Sequence, residues 1–99
     1  MDAEFAALRA ASEHNLVQFL QTELALCSTL IGLGETEHDI GNVEAAKRSI
    51  QHAEEGYATM MRFLSDPKHS QFLSPKDLLE FTDAVTGLRT RLDGVRLTR

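Results

Sequence analysis

The sequence predicts an all-α protein, an antiparallel up-down-up three-helix bundle with a long first helix. Three observations carry that prediction. Apolar residues recur at steps of three and four along three segments, and nowhere in the β-branched alternation of a strand. Proline is nearly absent, with Pro67 and Pro75 the only two. Helix start and stop signals fall where the periodic segments begin and end.

The first segment predicts a helix over about residues 2–39. Val17, Leu20, Leu24, Cys27, Ile31, Gly34 and His38 form one stripe, and Leu16, Phe19, Glu23, Leu26, Leu30 and Leu33 form a second beside it. The second segment predicts a helix over 43–65, with Val43, Ala46, Ile50, Ala53, Tyr57, Met60 and Leu64 on one seam. Asn42 is suited to cap its start, and Asp66-Pro67 ends it. The third helix, over 75–96, presents Leu78, Phe81, Val85, Leu88, Leu92 and Val95. Its start signal is LSPKDL: Ser74 as the cap, Pro75 in the first helical position, Asp77 where a capping-box acid would sit, and Leu73 placed to staple onto Leu78. Short loops imply antiparallel neighbours that pack at small crossing angles.

Ninety-nine residues make a single domain, 1–99, and at 42% apolar composition the chain should fold. Its single cysteine, Cys27, excludes an internal disulfide and fits a reducing compartment. The segment MDAEFAALRAASEH starts acidic and shows no basic region leading into an apolar one, so it does not read as a secretory signal. No apolar run is expected to approach the ~20 residues of a membrane helix. The expectation is a soluble, cytoplasmic protein with no membrane partner.

Charge narrows the partners further. The net charge is −5. Residues 1–46 hold eight acidic residues against Arg9, or −7, whereas 47–99 hold nine basic and seven acidic residues, or +2. An acidic first half repels phosphates, so no nucleic-acid partner is expected. Arg89, Arg91, Arg96 and Arg99 form the one basic cluster and read as a solvated helix end that complements the helix dipole.

The helix lengths do not match. At ~1.5 Å per residue, the first helix should overshoot its partners by about 20 Å. The overshoot still carries Phe5, Leu8 and several alanines. Either the second stripe packs on the third helix and the N-terminal turns fold back, or the excess apolar surface packs on a second chain. We read the second, a homodimer, with Phe5, Leu8, Leu16, Phe19, Leu26 and Leu30 as interface residues.

Chemistry-bearing residues are sparse. Glu35 and His38 form a Glu-x-x-His pair on one helix face, but a carboxylate-bridged di-iron bundle needs two such pairs and two further glutamates. Asp66-x-x-His69 lies in a loop. Gly32-x-Gly34 follows no strand and has no Gly-Lys-Ser/Thr, so it fits neither a dinucleotide nor a phosphate loop; close helix approach is its expected role. Cys27 should be a buried, unreactive thiol. His14 and His52 read as surface or boundary residues, and Met60, Met61 and Phe63 as core and rim. No catalytic residue and no cofactor are expected.

From residue 27 to 53 the spacing resembles one tetratricopeptide repeat. Leu33-Gly34, Gly41-Asn42, Ala46, Ile50 and Ala53 fall at that family's intervals, while Leu30 and Glu37 stand where it places large aromatics. The resemblance implies a close helical hairpin. A hairpin followed by one more helix is also similar in outline to the microtubule-interacting-and-transport domain, which binds peptide helices. The reading is therefore a non-catalytic, self-associating module for a protein or peptide helix. The alternative is a metal-binding protein that uses Glu35 and His38, completed across a dimer.

Overall fold

The computed structural model describes the backbone of residues 2–95 and the side chains of residues 12–95. Helix α1 spans Asp2–Asp39, α2 Val43–Ser65, α3 Pro67–Ser70 and α4 Pro75–Gly94, and no strand occurs among the described residues. Long helices form because each segment repeats an apolar seam and lacks internal proline.

The stretch IGLGETEHDIGN is a helix stop joined to a helix start. Gly41 takes φ +86, a left-handed conformation suited to glycine. Its N–H donates to the His38 carbonyl at 3.0 Å, and the Asn42 N–H donates to the Glu37 carbonyl at 2.8 Å. This paired closure is a Schellman motif, which satisfies carbonyls that the helix end would leave unbonded. The Asn42 side chain then accepts the Ala45 N–H at 3.3 Å and starts α2. Two turns into α2, Ser49 Oγ donates to Glu37 Oε1 at 2.6 Å and ties α2 back to α1.

Contacts along α1 and α2 run in opposite order. Gly34 faces Ala46 and Ile50, Cys27 faces Ala53 and Gly56, and Phe19 lies 5.0 Å, ring to ring, from Phe63. The pair is close because small residues line it. A Cβ at Gly56 would stand 2.5 Å from the Cys27 sulfur, and one at Gly34 would stand 2.7 Å from Ile50 Cδ1. Gly32, expected to serve the same approach, has nothing within 4 Å of its Cβ direction. That expectation fails because Gly32 lies off the seam, two residues from Gly34 and so on another side of the helix.

Helix α4 packs on both α1 and α2 and completes the core. The buried side chains include Leu20, Cys27 and Ile31 of α1, Ala53 and Met60 of α2, and Phe81, Val85, Leu88 and Leu92 of α4. Ser74 accepts the Asp77 N–H at 3.0 Å, as its position predicts, and Leu73 is buried beneath the turn. The helix stops at Gly94, short of the expected residue 96, because Val95 is extended (φ −74, ψ 128) and its N–H bonds back to Leu92. Residues 96–99 lie outside the described set. Helix α3 replaces an expected loop: Asp66 ends α2 and its carboxylate accepts the Lys68 N–H at 2.9 Å, so one residue closes one helix and opens the next.

The molecule is a rod. Its extents are 60 × 17 × 16 Å and its radius of gyration is 16.4 Å, against the ~13 Å of a compact 100-residue domain. At ~1.5 Å per residue α1 alone accounts for about 57 Å of that length, α2 for about 35 Å and α4 for about 30 Å. Because α2 leaves the corner beside the C-terminal end of α1, Ser65 falls opposite the turn near Val17. Residues 2–15 of α1 run past the end of α2.

The glycines make opposing predictions. Gly56→Ala pushes into a buried sulfur, and overpacking of that kind costs ~1–3 kcal/mol, more than the ~1 kcal/mol of helix propensity that alanine adds. Gly32→Ala meets open space and should stabilise by up to ~1 kcal/mol. Denaturant unfolding of the two variants checks this: the Gly56 variant should unfold earlier than the parent and the Gly32 variant later.

Candidate interaction surface

The predicted first stripe of α1 is the inward one: Leu20, Cys27, Ile31 and Gly34 are buried, and Val17, Leu24 and His38 are half-buried. The second stripe divides. Leu16, Phe19 and Leu30 are half-buried against the core of their own chain, whereas Leu26 is 49% exposed and Leu33 47% exposed. Phe5 and Leu8 lie among the residues whose side chains are outside the described set.

Position around the helix explains the division. Arg91 of α4 donates to Ser28 at 2.7 Å and lies 3.7 Å from Glu35, which places α4 along one flank of α1. Leu26 and Leu33 stand two residues from Ser28 and Glu35, ~160° around the helix, on the flank that α4 does not reach. At one end of that open flank the Phe63 ring covers Phe19, with His69 of α3 4.4 Å beyond it. Between that end and the Glu37–Ser49 clasp lies a groove of about 400 Å³ between α1 and α2, lined by Glu23, Leu26, Leu30, His52, Glu55, Gly56 and Thr59. Its apolar wall is α1, and its floor is Gly56, where the absence of a side chain lets the two helices close over Cys27. Glu23 and Glu55 make the rim acidic, with His52 3.7 Å from Glu55.

The residues singled out for chemistry do not converge. Glu35 faces Arg91, and His38 Nδ1 lies 4.0 Å from Asp39, its sequence neighbour. Among the described residues no group of three or more His, Cys, Asp or Glu side chains is placed to hold a metal ion. Asp66 and His69 are parted by role, the first capping α3 and the second packed at a tilt against the Phe63 ring. His14 and His52 are exposed, Met60 is fully buried and Met61 is exposed. Cys27 is 1% exposed, and its thiol donates to the Ala53 carbonyl at 3.6 Å. Burial, and then the neighbouring Glu23 carboxylate, push its pKa above the ordinary thiol value. Both effects disfavour the thiolate that nucleophilic chemistry requires.

Of the four C-terminal arginines, Arg96 and Arg99 lie outside the described residues; Arg91 is exposed in the last turn of α4, and Arg89 and Arg91 also pair with acids of other helices. Arg89 forms a two-pronged pair with Glu54 of α2 at 2.7 and 3.0 Å, bonds Asp93 and lies over the Tyr57 ring at 5.0 Å. The hydrogen bonds it donates to Glu54 and then to Asp93 raise its pKa still further. Arg89 and Arg91 thus join helices together. Periodicity alone missed this because the acids they pair with lie 35 and 56 residues earlier in the chain, on other elements.

No family model matches the chain, and no curated protein or solved structure matches it either. The segment Ser12–Asp39 is long and apolar enough, by length and composition, to cross a membrane. Leucines on both flanks, with Glu23 the one charge between Val17 and Leu33, raise the mean hydropathy although no run is purely apolar.

The Cys27 environment gives a direct check. In the native protein the thiol should react with a water-soluble disulfide reagent at least ~100-fold more slowly than in denaturant, since only a locally opened state exposes it. Because its folded pKa is raised, the stability that burial of the neutral thiol confers is complete below the unfolded pKa. It falls as pH rises beyond that value, so melting should come at lower temperature in the alkaline range for the parent than for Cys27→Ala, relative to each protein's value at neutral pH.

Proposed function

We propose that this chain is a non-catalytic helical interaction module that self-associates, an up-down-up three-helix bundle with a tetratricopeptide-like α1–α2 hairpin. The observation that carries the reading is the open flank of α1. Leu26, Leu30 and Leu33 form an apolar strip beside a groove, on a helix that also runs past the end of α2. Contiguous apolar surface of this kind, edged by polar groups, is what helix-in-groove association uses. The partner is a helix, supplied first by a second copy of the chain. Pairing of Arg89 and Arg91 with acids of their own chain supports a role without nucleic acid. We take α1 as a helix of a bundle in water, with Leu20, Cys27 and Ile31 in its core, and the location as cytoplasmic.

Light scattering after size exclusion tests it. The expected mass at tens of micromolar is twice the 11.0 kDa of one chain. A mass of one chain at that concentration overturns the reading. The paired exchange Leu26→Asp with Leu33→Asp should shift the protein to monomer while leaving its helix content unchanged, because both side chains already face water for about half their surface.

A further inference from the structure

Helix α1 has three sides, and its own chain covers two of them. Cys27 turns to Ala53 and Gly56 of α2, while Ser28 and Glu35 turn to Arg91 of α4. At ~100° per residue Thr29 stands ~160° from Cys27 and ~100° from Ser28, so the third side is centred on it. Along that side Thr22, Ala25, Thr29, Gly32 and Thr36 step by three and four, with Leu26 and Leu33 on one edge. The threonines, Ala25 and both leucines are exposed, and a Cβ at Gly32 would meet nothing within 4 Å. None of these residues is charged, although residues 1–46 together carry −7. The exposed sides of the other long helices are charged, with Glu44, Arg48 and Glu55 on α2 and Lys76, Glu80 and Asp83 on α4.

We infer that the protein forms a two-fold dimer in which this uncharged side of α1 packs on its own copy, the two α1 helices antiparallel and meeting at Thr29. This rests on the self-association reading and adds the surface, the orientation and the register to it. Charge selects the surface. A two-fold contact sets a patch against itself, so in an acidic protein a neutral patch is the one that meets its copy without repulsion. Size selects the register. With Leu26 of one chain against Gly32 of the other, Leu33 falls against Ala25, and both pairings put the axis at residue 29. Each leucine then enters the gap that a small residue leaves, on both sides of the axis, and the small stripe lets the two backbones approach closely. Charge also selects the orientation. The corner after α1 carries Glu37, Asp39 and Glu44, and parallel helices would bring two such corners together. Antiparallel helices meeting at residue 29 keep Asp39 ~30 Å from its copy along the axis, far beyond the ~8 Å screening length at physiological salt.

Thiol cross-linking of the full chain tests the arrangement. Thr22, Thr29, Thr36 and Thr90 are all exposed, and native Cys27 is buried and does not compete. Thr29→Cys alone should give a covalent dimer with a short bismaleimide, because the axis brings residue 29 beside its copy. Thr22→Cys and Thr36→Cys should each give roughly tenfold less, since each thiol lies ~21 Å along the axis from its copy and their effective concentration is low. The double variant Thr22→Cys with Thr36→Cys should link efficiently again, because residue 22 of one chain meets residue 36 of the other. Within one chain those two positions are also ~21 Å apart, so the link joins two chains. Thr90→Cys on α4 sets the level of chance encounter.

Circular dichroism and melting matched to the parent qualify each variant. Gln18→Cys with Ile40→Cys, a pair also brought together across the axis, replaces the 22–36 pair if that one disturbs the helix. A dimer by light scattering in which residue 29 links no better than residue 90 overturns this arrangement and leaves self-association standing. So does a dimer in which Thr22→Cys or Thr36→Cys alone links as well as Thr29→Cys. A monomeric parent overturns both.

Discussion

The close approach of α1 and α2 is the constraint on which the rest of this structure depends. Gly34, Ala46, Ala53 and Gly56 leave the seam without bulk, and the Cys27 sulfur fills what remains. The same absence of side chain has two consequences on two sides. Inward, it brings the helices near enough for Leu20, Ile31 and Met60 to be fully buried in a thin molecule. Outward, Gly56 leaves a dent between Leu26 and Leu30 of α1 and His52 and Thr59 of α2. The groove is therefore a product of the packing and requires no feature added to it. Widening the seam with a larger residue would loosen the core and change the groove together.

Helix α4 is attached differently. Its Phe81, Val85, Leu88 and Leu92 supply apolar surface to a core that α1 and α2 cannot close alone. Hydrophobic burial of that kind is non-directional, so it does not by itself set how far α4 slides or turns. The paired arginines do. Arg89 holds Glu54 through two parallel hydrogen bonds, a geometry that lysine could not reproduce, and Arg91 reaches across to Ser28 and Glu35. Both pairs are partly exposed and add little to stability, ~1 kcal/mol or less each. Their contribution is register. The uneven charge of the chain, acidic in its first half and basic near its end, is partly reconciled within the fold.

Much of this was legible in the sequence, and the reasons for the remainder are physical. The inward stripe of α1, the seam of α2 and the start of α4 follow from local rules: three-to-four spacing, a capping side chain, a proline in the first turn. Each acts within about five residues, so the sequence displays it directly. Helix α3 escaped notice because four residues hold too little periodicity to register, although Asp66-Pro67 contains its start signal. The roles of Arg89, Arg91 and Gly56 escaped for the opposite reason. Each depends on a neighbour brought up by the fold from 29 to 63 residues away, and no spacing along the chain encodes that pairing. The groove was half visible: a second stripe on α1 is apparent, but which part of it α2 would cover is not.

Magnitudes show why the excess length of α1 matters. Full burial of a leucine side chain contributes ~1.5–3 kcal/mol, so covering the exposed halves of Leu26 and Leu33 would contribute roughly 1.5–3 kcal/mol per chain, or about 3–6 kcal/mol in a two-fold pair. Loss of translational and rotational freedom on association costs ~4–15 kcal/mol. The exposed strip is too small to hold two chains by itself, and a dimer built on Leu26 and Leu33 alone would dissociate at micromolar concentration. The remaining contribution to any association has to come from elsewhere on the chain, and α1 runs past the end of α2 over residues 2–15, backbone that α2 does not line.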